Sequence, residues 1–178
     1  MNFDLTQEHK LIQQTARDFA QNELLPGVLE RDENKIWPKA AILKMGELGF
    51  MGMMVSPDYN GGGMDTISYV IAMEEIAKVD AAASVVMSVN NSLVCTLLEK
   101  YGDTFQKEKY LSKLSTGELL GAFSLSEPQS GSDASNMLTF AKKTDSGYVL
   151  SGTKNWVTNG INSDLVLVLG CRLNIRQI

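Results

Sequence analysis

The spacing of apolar positions changes once along the chain. To about residue 117 they recur every three or four residues, which predicts helices; beyond it they form short runs bounded by Gly, Asp and Ser, which predicts strands. Leu11, Ile12, Ala16, Phe19 and Ala20 make the first helical stripe. Thr6 is its N-cap, Gln7 and Glu8 lie in its first turn, and Pro26 ends it. Pro38 suits the first position of a second helix carrying Ile42, Leu43 and Leu48, closed by Gly49. A third starts near Asp65 or Thr66 and runs to about Val79, with Ile67, Val70, Ile71 and Ala77 on its apolar face and Glu74 four residues before Lys78. A fourth covers residues 81 to about 100. Asp103-Thr-Phe-Gln106 reads as a capping box opening a fifth, which ends before Gly117.

Strands are expected over 119–126, 137–143, 148–151, 155–158 and 165–169, the second and third joined by a Thr-Asp-Ser-Gly hairpin turn. The run at 165–169 lacks polar alternation and suits a buried sheet. The fold class is therefore α+β: an all-α helical bundle over 1–117, the start of an antiparallel β-domain over 118–170, and a tail over 171–178. So few strands leave unpaired edges that invite self-association.

Composition narrows the function. Hydrophobic residues at 44% and charged residues at 21% of 178 describe a globular protein, not a disordered one. A net charge of −5 without a basic block argues against nucleic-acid binding. Cys95 and Cys171 form no CxxC, so neither disulfide framework nor zinc site is indicated, and Cys95 reads as a small core residue. The single histidine, His9, falls in the first turn of a surface helix and is expected to be solvated. The N-terminus has neither a basic nor an apolar leader, which predicts a cytoplasmic protein. The uncharged stretch 81–98 holds Ser84, Ser88, Asn90, Asn91, Ser92 and Thr96, too polar for membrane insertion. Those six either bond neighbouring helices or line a pocket for an amphipathic ligand with an acyl tail. Gly61-Gly62-Gly63 has no following Lys-Ser/Thr and reads as a flexible turn.

Two segments could carry chemistry. In Phe123-Ser-Leu-Ser-Glu-Pro-Gln-Ser-Gly-Ser-Asp133 a strand runs into a Glu-Pro turn. Gly131 allows close backbone approach to a ligand there, and Ser126, Ser130 and Ser132 offer hydroxyls. In Gly-Thr-Lys-Asn-Trp-Val-Thr-Asn-Gly, 152–160, a strand would put Trp156 and Thr158 on one face. A flat heteroaromatic ring stacked on the indole could then take a hydrogen bond from the hydroxyl.

Together these segments resemble the acyl-CoA dehydrogenase family, most closely its short-chain, butyryl-CoA type members. So do Ala-Arg-Asp-Phe-Ala at 16–20, Leu-Gly-Phe-Met-Gly at 48–52, Ala-Met-Glu-Glu-Ile-Ala at 72–77 and Met-Ser-Val-Asn-Asn-Ser-Leu at 87–93. The resemblance spans about residues 3–169 and implies FAD as cofactor. It places Phe123, Leu125 and Ser126 on the flavin pyrimidine side, Gly131 and Ser132 near the cofactor and the CoA arm of the substrate, Trp156 against the flavin face away from substrate, and Thr158 toward the flavin. It implies α,β-dehydrogenation of an acyl-CoA, with electrons passed to electron-transfer flavoprotein, in a homo-oligomer (a tetramer in the family). The family's base is a Glu of a C-terminal helical domain. That domain is expected to be missing from this N-terminal portion, so no catalytic residue is assigned, and Glu74, Glu75 and Glu127 read as structural carboxylates. Two other readings stay open: an acyl-CoA oxidase of the same superfamily, or a non-catalytic truncated paralogue acting as a helical interaction module.

Overall fold

The computed structural model describes residues 4–172. Helix α1, Gln7–Phe19, continues as a π-helical turn over Ala20–Leu24. It is followed by α2, Val28–Asn34, α3, Lys39–Glu47, α4, Thr66–Ala77, and α5, Ala81–Tyr101. Helix α6 opens at Thr104–Gln106, passes through a π-helical stretch at Lys107–Leu111 and closes at Ser112–Ser115.

The starts of the helices are fixed locally. The side chains of Thr6, Asp65 and Asp103 each accept an amide N–H from the first turn of α1, α4 and α6. At α1 the box is closed by His9, whose Nδ1 accepts the Thr6 N–H at 3.4 Å while its Nε2 lies 3.4 Å from Asp65 Oδ2. His9 is thus a half-buried capping residue joining two helix starts, which corrects the expectation of a solvated side chain.

The largest core cluster joins α1 (Ile12, Ala16, Phe19) to α4 (Tyr69, Ala72, Ile76), with Met45, Met51 and Met87 closing it. The face of α4 differs from the expected one. Ile67 and Val70 are each 54% exposed, while Ser68 and Glu75 point inward. This helix is apolar almost all round, so periodicity alone cannot choose its buried side. Glu75 decides it through an ion pair: Arg17 donates to both carboxylate oxygens at 3.0 and 3.1 Å, and Lys78 donates at 2.9 Å.

The Arg17 guanidinium and then the Lys78 ammonium hold the Glu75 carboxyl down from the ordinary 4.5 to about 2, although burial opposes them. The folded-state value lies below the unfolded one, so the pair's stabilisation is complete above the ordinary carboxylate range. It is lost as pH falls through about 2. The difference in unfolding midpoint between the parent and Glu75→Gln is therefore expected to be largest near neutrality and to shrink between about pH 5 and 2. A difference independent of pH contradicts it.

Helix α5 is long and apolar enough to cross a membrane by length and composition, and 56% of its most apolar window is buried inside the protein. Its polar residues bond protein groups. Asn90 Nδ2 donates to the carbonyls of Met51 and Leu114 at 2.8 and 2.9 Å, and its Oδ1 accepts the Gly121 N–H at 2.9 Å. Asn91 accepts the Met53 N–H at 2.8 Å and donates to the Phe50 and Met87 carbonyls. Ser84, Ser92 and Thr96 bond carbonyls of their own helix. Of the six, Asn90 and Asn91 bond neighbouring segments, while Ser84, Ser92 and Thr96 bond within α5. The π-helical stretch Val89–Cys95 brings both asparagines inward.

Gly61-Gly62-Gly63 is tightly packed rather than flexible. A Cβ on Gly61 would lie 2.2 Å from the Val55 carbonyl oxygen, and the Gly62, Gly63 and Met64 amides bond carbonyls of Gly52, Val55 and Met53. The thiol of Cys95 is buried, and that burial, with Glu99 beside it, pushes it up to about 12, whereas Cys171 is exposed. A thiol reagent is thus expected to label Cys171 in the native protein and Cys95 only after unfolding, read by mass spectrometry. Native labelling of Cys95 contradicts that packing.

The strands are β1, Gly121–Ser124, β2, Phe140–Thr144, β3, Gly147–Ser151, β4, Leu165–Val168, and β5, Cys171–Arg172. The α+β class stands, but the pairing is mixed. The β2–β3 hairpin is antiparallel as expected, whereas β1 pairs parallel with β4, and β2 parallel with β5. The expectation of a purely antiparallel domain is corrected because β4 returns beside β1 only after a long excursion. Strand β4 is half covered, not fully buried. Leu165 and Leu167 pack on the second core cluster of Val94, Leu98, Leu111 and Leu114, while Val166 and Val168 are exposed. Strand β1 rests on α5 so closely that a Cβ at Gly121 would meet Val94 Cγ1 at 2.6 Å.

Candidate functional site

The two chemistry-bearing segments meet at the end of β1. Beyond Ser124 the chain turns over Pro128 and Gln129, where Glu127 and Ser130 exchange backbone bonds at 2.8 and 3.1 Å. The Ser130 hydroxyl donates to the Asp133 carbonyl at 2.7 Å, so this serine shapes the turn. The second segment is stitched to the first and to the start of β1. The Asn155 N–H donates to the Ser126 carbonyl at 2.8 Å, Lys154 Nζ to the Leu125 carbonyl at 2.7 Å, and Asn159 Nδ2 to the Gly121 carbonyl at 2.9 Å.

Glu127 and Lys154 form a buried ion pair at 2.8 Å, with 2% and 10% of their side chains exposed. Burial alone raises the Glu127 carboxyl, but the Lys154 ammonium and the N–H groups of Leu138 and Thr139 outweigh it and hold the carboxyl well below the usual range. A carboxylate so held is a poor proton acceptor near neutrality.

Residues 155–158 are not a strand, which corrects the expected geometry. Trp156 takes a left-handed backbone conformation with φ 59°, Asn159 another with φ 67°, and residues 158–162 turn. Period-two alternation therefore does not put Trp156 and Thr158 on one face. What the loop does instead is hold the indole out. Trp156 is 92% exposed, so it fills no core.

Phe123, Leu125 and Ser126 are partly covered along one continuous stretch, joined through Asn155 to the Trp156–Thr158 loop. Gly131 and Ser132 are exposed on the turn, and a Cβ at Gly131 would meet nothing within 4 Å, so no contact within the chain demands glycine there. The hydroxyls of Ser126, Ser132 and Thr158 make no hydrogen bond among the described residues. Trp156 thus offers an exposed aromatic face, Ser126, Ser132 and Thr158 offer uncommitted hydroxyls, and Gly131 lies on an open turn. Sequence reasoning did not pick out Lys154 and Asn159, the residues that join the segments. Their only signal was their place beside Trp156.

The family profile of the acyl-CoA dehydrogenase N-terminal domain matches residues 6–118, and that of the acyl-CoA dehydrogenase middle domain matches 122–175. The chain belongs to the acyl-CoA dehydrogenase family. The short-chain specific acyl-CoA dehydrogenase of mouse mitochondria is 39% identical over 174 residues, covering 98% of this chain and 42% of the relative. The butyryl-CoA dehydrogenase of Megasphaera elsdenii superposes with a TM-score of 0.90 at 39% identity, over 96% of this chain and 45% of that one. A glutaryl-CoA dehydrogenase of Mycobacterium smegmatis in complex with FADH2 gives 0.90 at 33% identity, over 94% and 43%. The chain thus spans less than half the length of these relatives, and the middle-domain match runs into the residues expected to form a tail outside the family.

Proposed function

We propose that this chain supplies the helical layer and the cofactor-facing turn of a soluble, cytoplasmic, FAD-dependent short-chain acyl-CoA dehydrogenase that converts a butyryl-CoA-like thioester to its 2-enoyl-CoA and passes electrons to electron-transfer flavoprotein. The observation that carries this reading is the 92% exposed Trp156, held at positive φ and stitched to Ser126, in a chain about 40% identical to short-chain relatives. An exposed indole that fills no core is suited to stack on a ring.

The residues present fit FAD. Phe123, Leu125 and Ser126 would line one edge of its ring, Trp156 would stack on one face, and the Thr158 hydroxyl would hydrogen-bond to it. Gly131 and Ser132 would approach the cofactor and the CoA arm. Bound FAD supplies a two-electron acceptor for the hydride leaving the β-carbon. The protein's part here is to bind and orient that acceptor and to keep its own carboxylates out of the proton transfer. Glu75 is committed to Arg17 and Lys78, Glu127 to Lys154, and Asp80 to Arg31 at 3.1 Å. A base that removes the α-proton works best with a pKa near the working pH, whereas Glu75 and Glu127 are held below the ordinary carboxylate range by their hydrogen-bonding partners. In this reading the base is the Glu that the family carries in its C-terminal helical domain, and self-association into the family's oligomer belongs to the same reading. Adding butyryl-CoA anaerobically to the intact gene product is expected to bleach its flavin absorbance. A flavin that stays oxidised under excess butyryl-CoA contradicts the substrate assignment.

A further inference from the structure

We propose that Glu127 and Lys154 are positioning residues of the cofactor cradle, a buried brace that fixes the Trp156 loop against the Ser126 turn. The inference rests on the functional reading above and adds to it which groups hold the cradle in register.

The Glu127 carboxylate accepts from four donors: Lys154 Nζ at 2.8 Å, the Leu138 N–H at 2.6 Å, the Thr139 N–H at 3.0 Å and Gln129 Nε2 at 2.6 Å. Lys154 divides its protons between that carboxylate and the Leu125 carbonyl. Two side chains thus tie together three stretches of backbone: residues 125–127 that follow β1, residues 138–139 that lead into β2, and the loop that carries Trp156. None of these stretches is regular secondary structure, so no ladder fixes their relative placement. The Asn155–Ser126 bond between turn and loop sits directly beside the brace. A buried ion pair is a weak source of net stability, because desolvation offsets the attraction, but its directional bonds specify one arrangement over others. Ligand affinity is sensitive to such placement, since displacements near 1 Å of binding groups can cost orders of magnitude.

The test separates placement from stability in the intact gene product, with FAD as the probe. Lys154→Met leaves the Glu127 charge buried and unpaired, and is expected to lower both the unfolding midpoint and FAD affinity. The double variant Glu127→Gln with Lys154→Met removes the charge but keeps one acceptor oxygen, so only one of the Leu138 and Thr139 amides retains its partner. Its unfolding midpoint is expected to rise above that of Lys154→Met toward the parent's, because no unpaired charge is left buried, while its FAD affinity stays about tenfold or more below the parent's. Lys154→Arg, which can still donate to both partners, is expected to bind FAD within about threefold of the parent. A double variant that binds FAD as tightly as a parent that itself binds FAD overturns this assignment alone. A parent that binds no FAD overturns the functional reading and this assignment with it.

Discussion

Replacing Trp156 and Thr158 together by Ala is expected to weaken FAD binding by the intact gene product about ten- to a hundredfold and to leave its unfolding midpoint nearly unchanged. An aromatic stack contributes about 0.5–1.5 kcal/mol and one hydrogen bond about as much. Their joint loss of about 1.4–2.7 kcal/mol, within the sum of the two, corresponds to that range in the dissociation constant. Stability is spared because the indole is 92% exposed and the Thr158 hydroxyl has no partner among the described residues. The two effects are read side by side, by equilibrium titration with FAD and by thermal unfolding of the apoprotein. A large drop in the unfolding midpoint would show that the indole serves packing, and unchanged affinity would remove it from the cofactor's surroundings.

The second large effect lies in the scaffold. Asn90→Leu strands the carbonyl of Met51 and the N–H of Gly121, leaves the Leu114 carbonyl only the Gly117 N–H at 3.3 Å, and forces a branched side chain into a fully buried position. Each unsatisfied buried group costs about 1–3 kcal/mol, and partial relaxation brings the expected total to about 3–5 kcal/mol, read as a fall in urea midpoint. Asn90 alone joins α5, the 50–53 segment, the end of α6 and the start of β1, so its loss reaches the base of the cradle. A destabilisation below about 1 kcal/mol would mean that the network is replaceable by packing.

How far such features could be read from the chain depends on how local they are. The caps at Thr6, Asp65 and Asp103 were legible because an N-cap needs only a short polar side chain and the next three residues. Helix α2 escaped notice because none of its residues is buried, so it leaves no apolar stripe to detect. The inward side of α4 was illegible for the opposite reason. Nearly every position is apolar, and the choice is made by Glu75 meeting Arg17, 58 residues away in sequence. Parallel pairing of β1 with β4 depends on partners more than 40 residues apart, which alternation cannot report.

The site shows the same division. The Ser-Glu-Pro and Trp-x-Thr segments stood out by their residues and by family resemblance. The strand expected for Trp156 failed because a left-handed backbone at a bulky residue is set by tertiary bonds from Lys154, Asn155 and Asn159. His9 and the three consecutive glycines were misread alike: capping across two helices and close approach to Val55 exist only once the helices have packed.

The central claim is that the indole at position 156 faces a flavin, and tryptophan fluorescence reads it directly. FAD titrated into the apoprotein of the intact gene product is expected to quench its emission saturably, and most of that quenching is expected to vanish in Trp156→Phe while Trp37→Phe retains it. Saturable quenching of equal size in Trp156→Phe, or no FAD binding by the parent, contradicts the account.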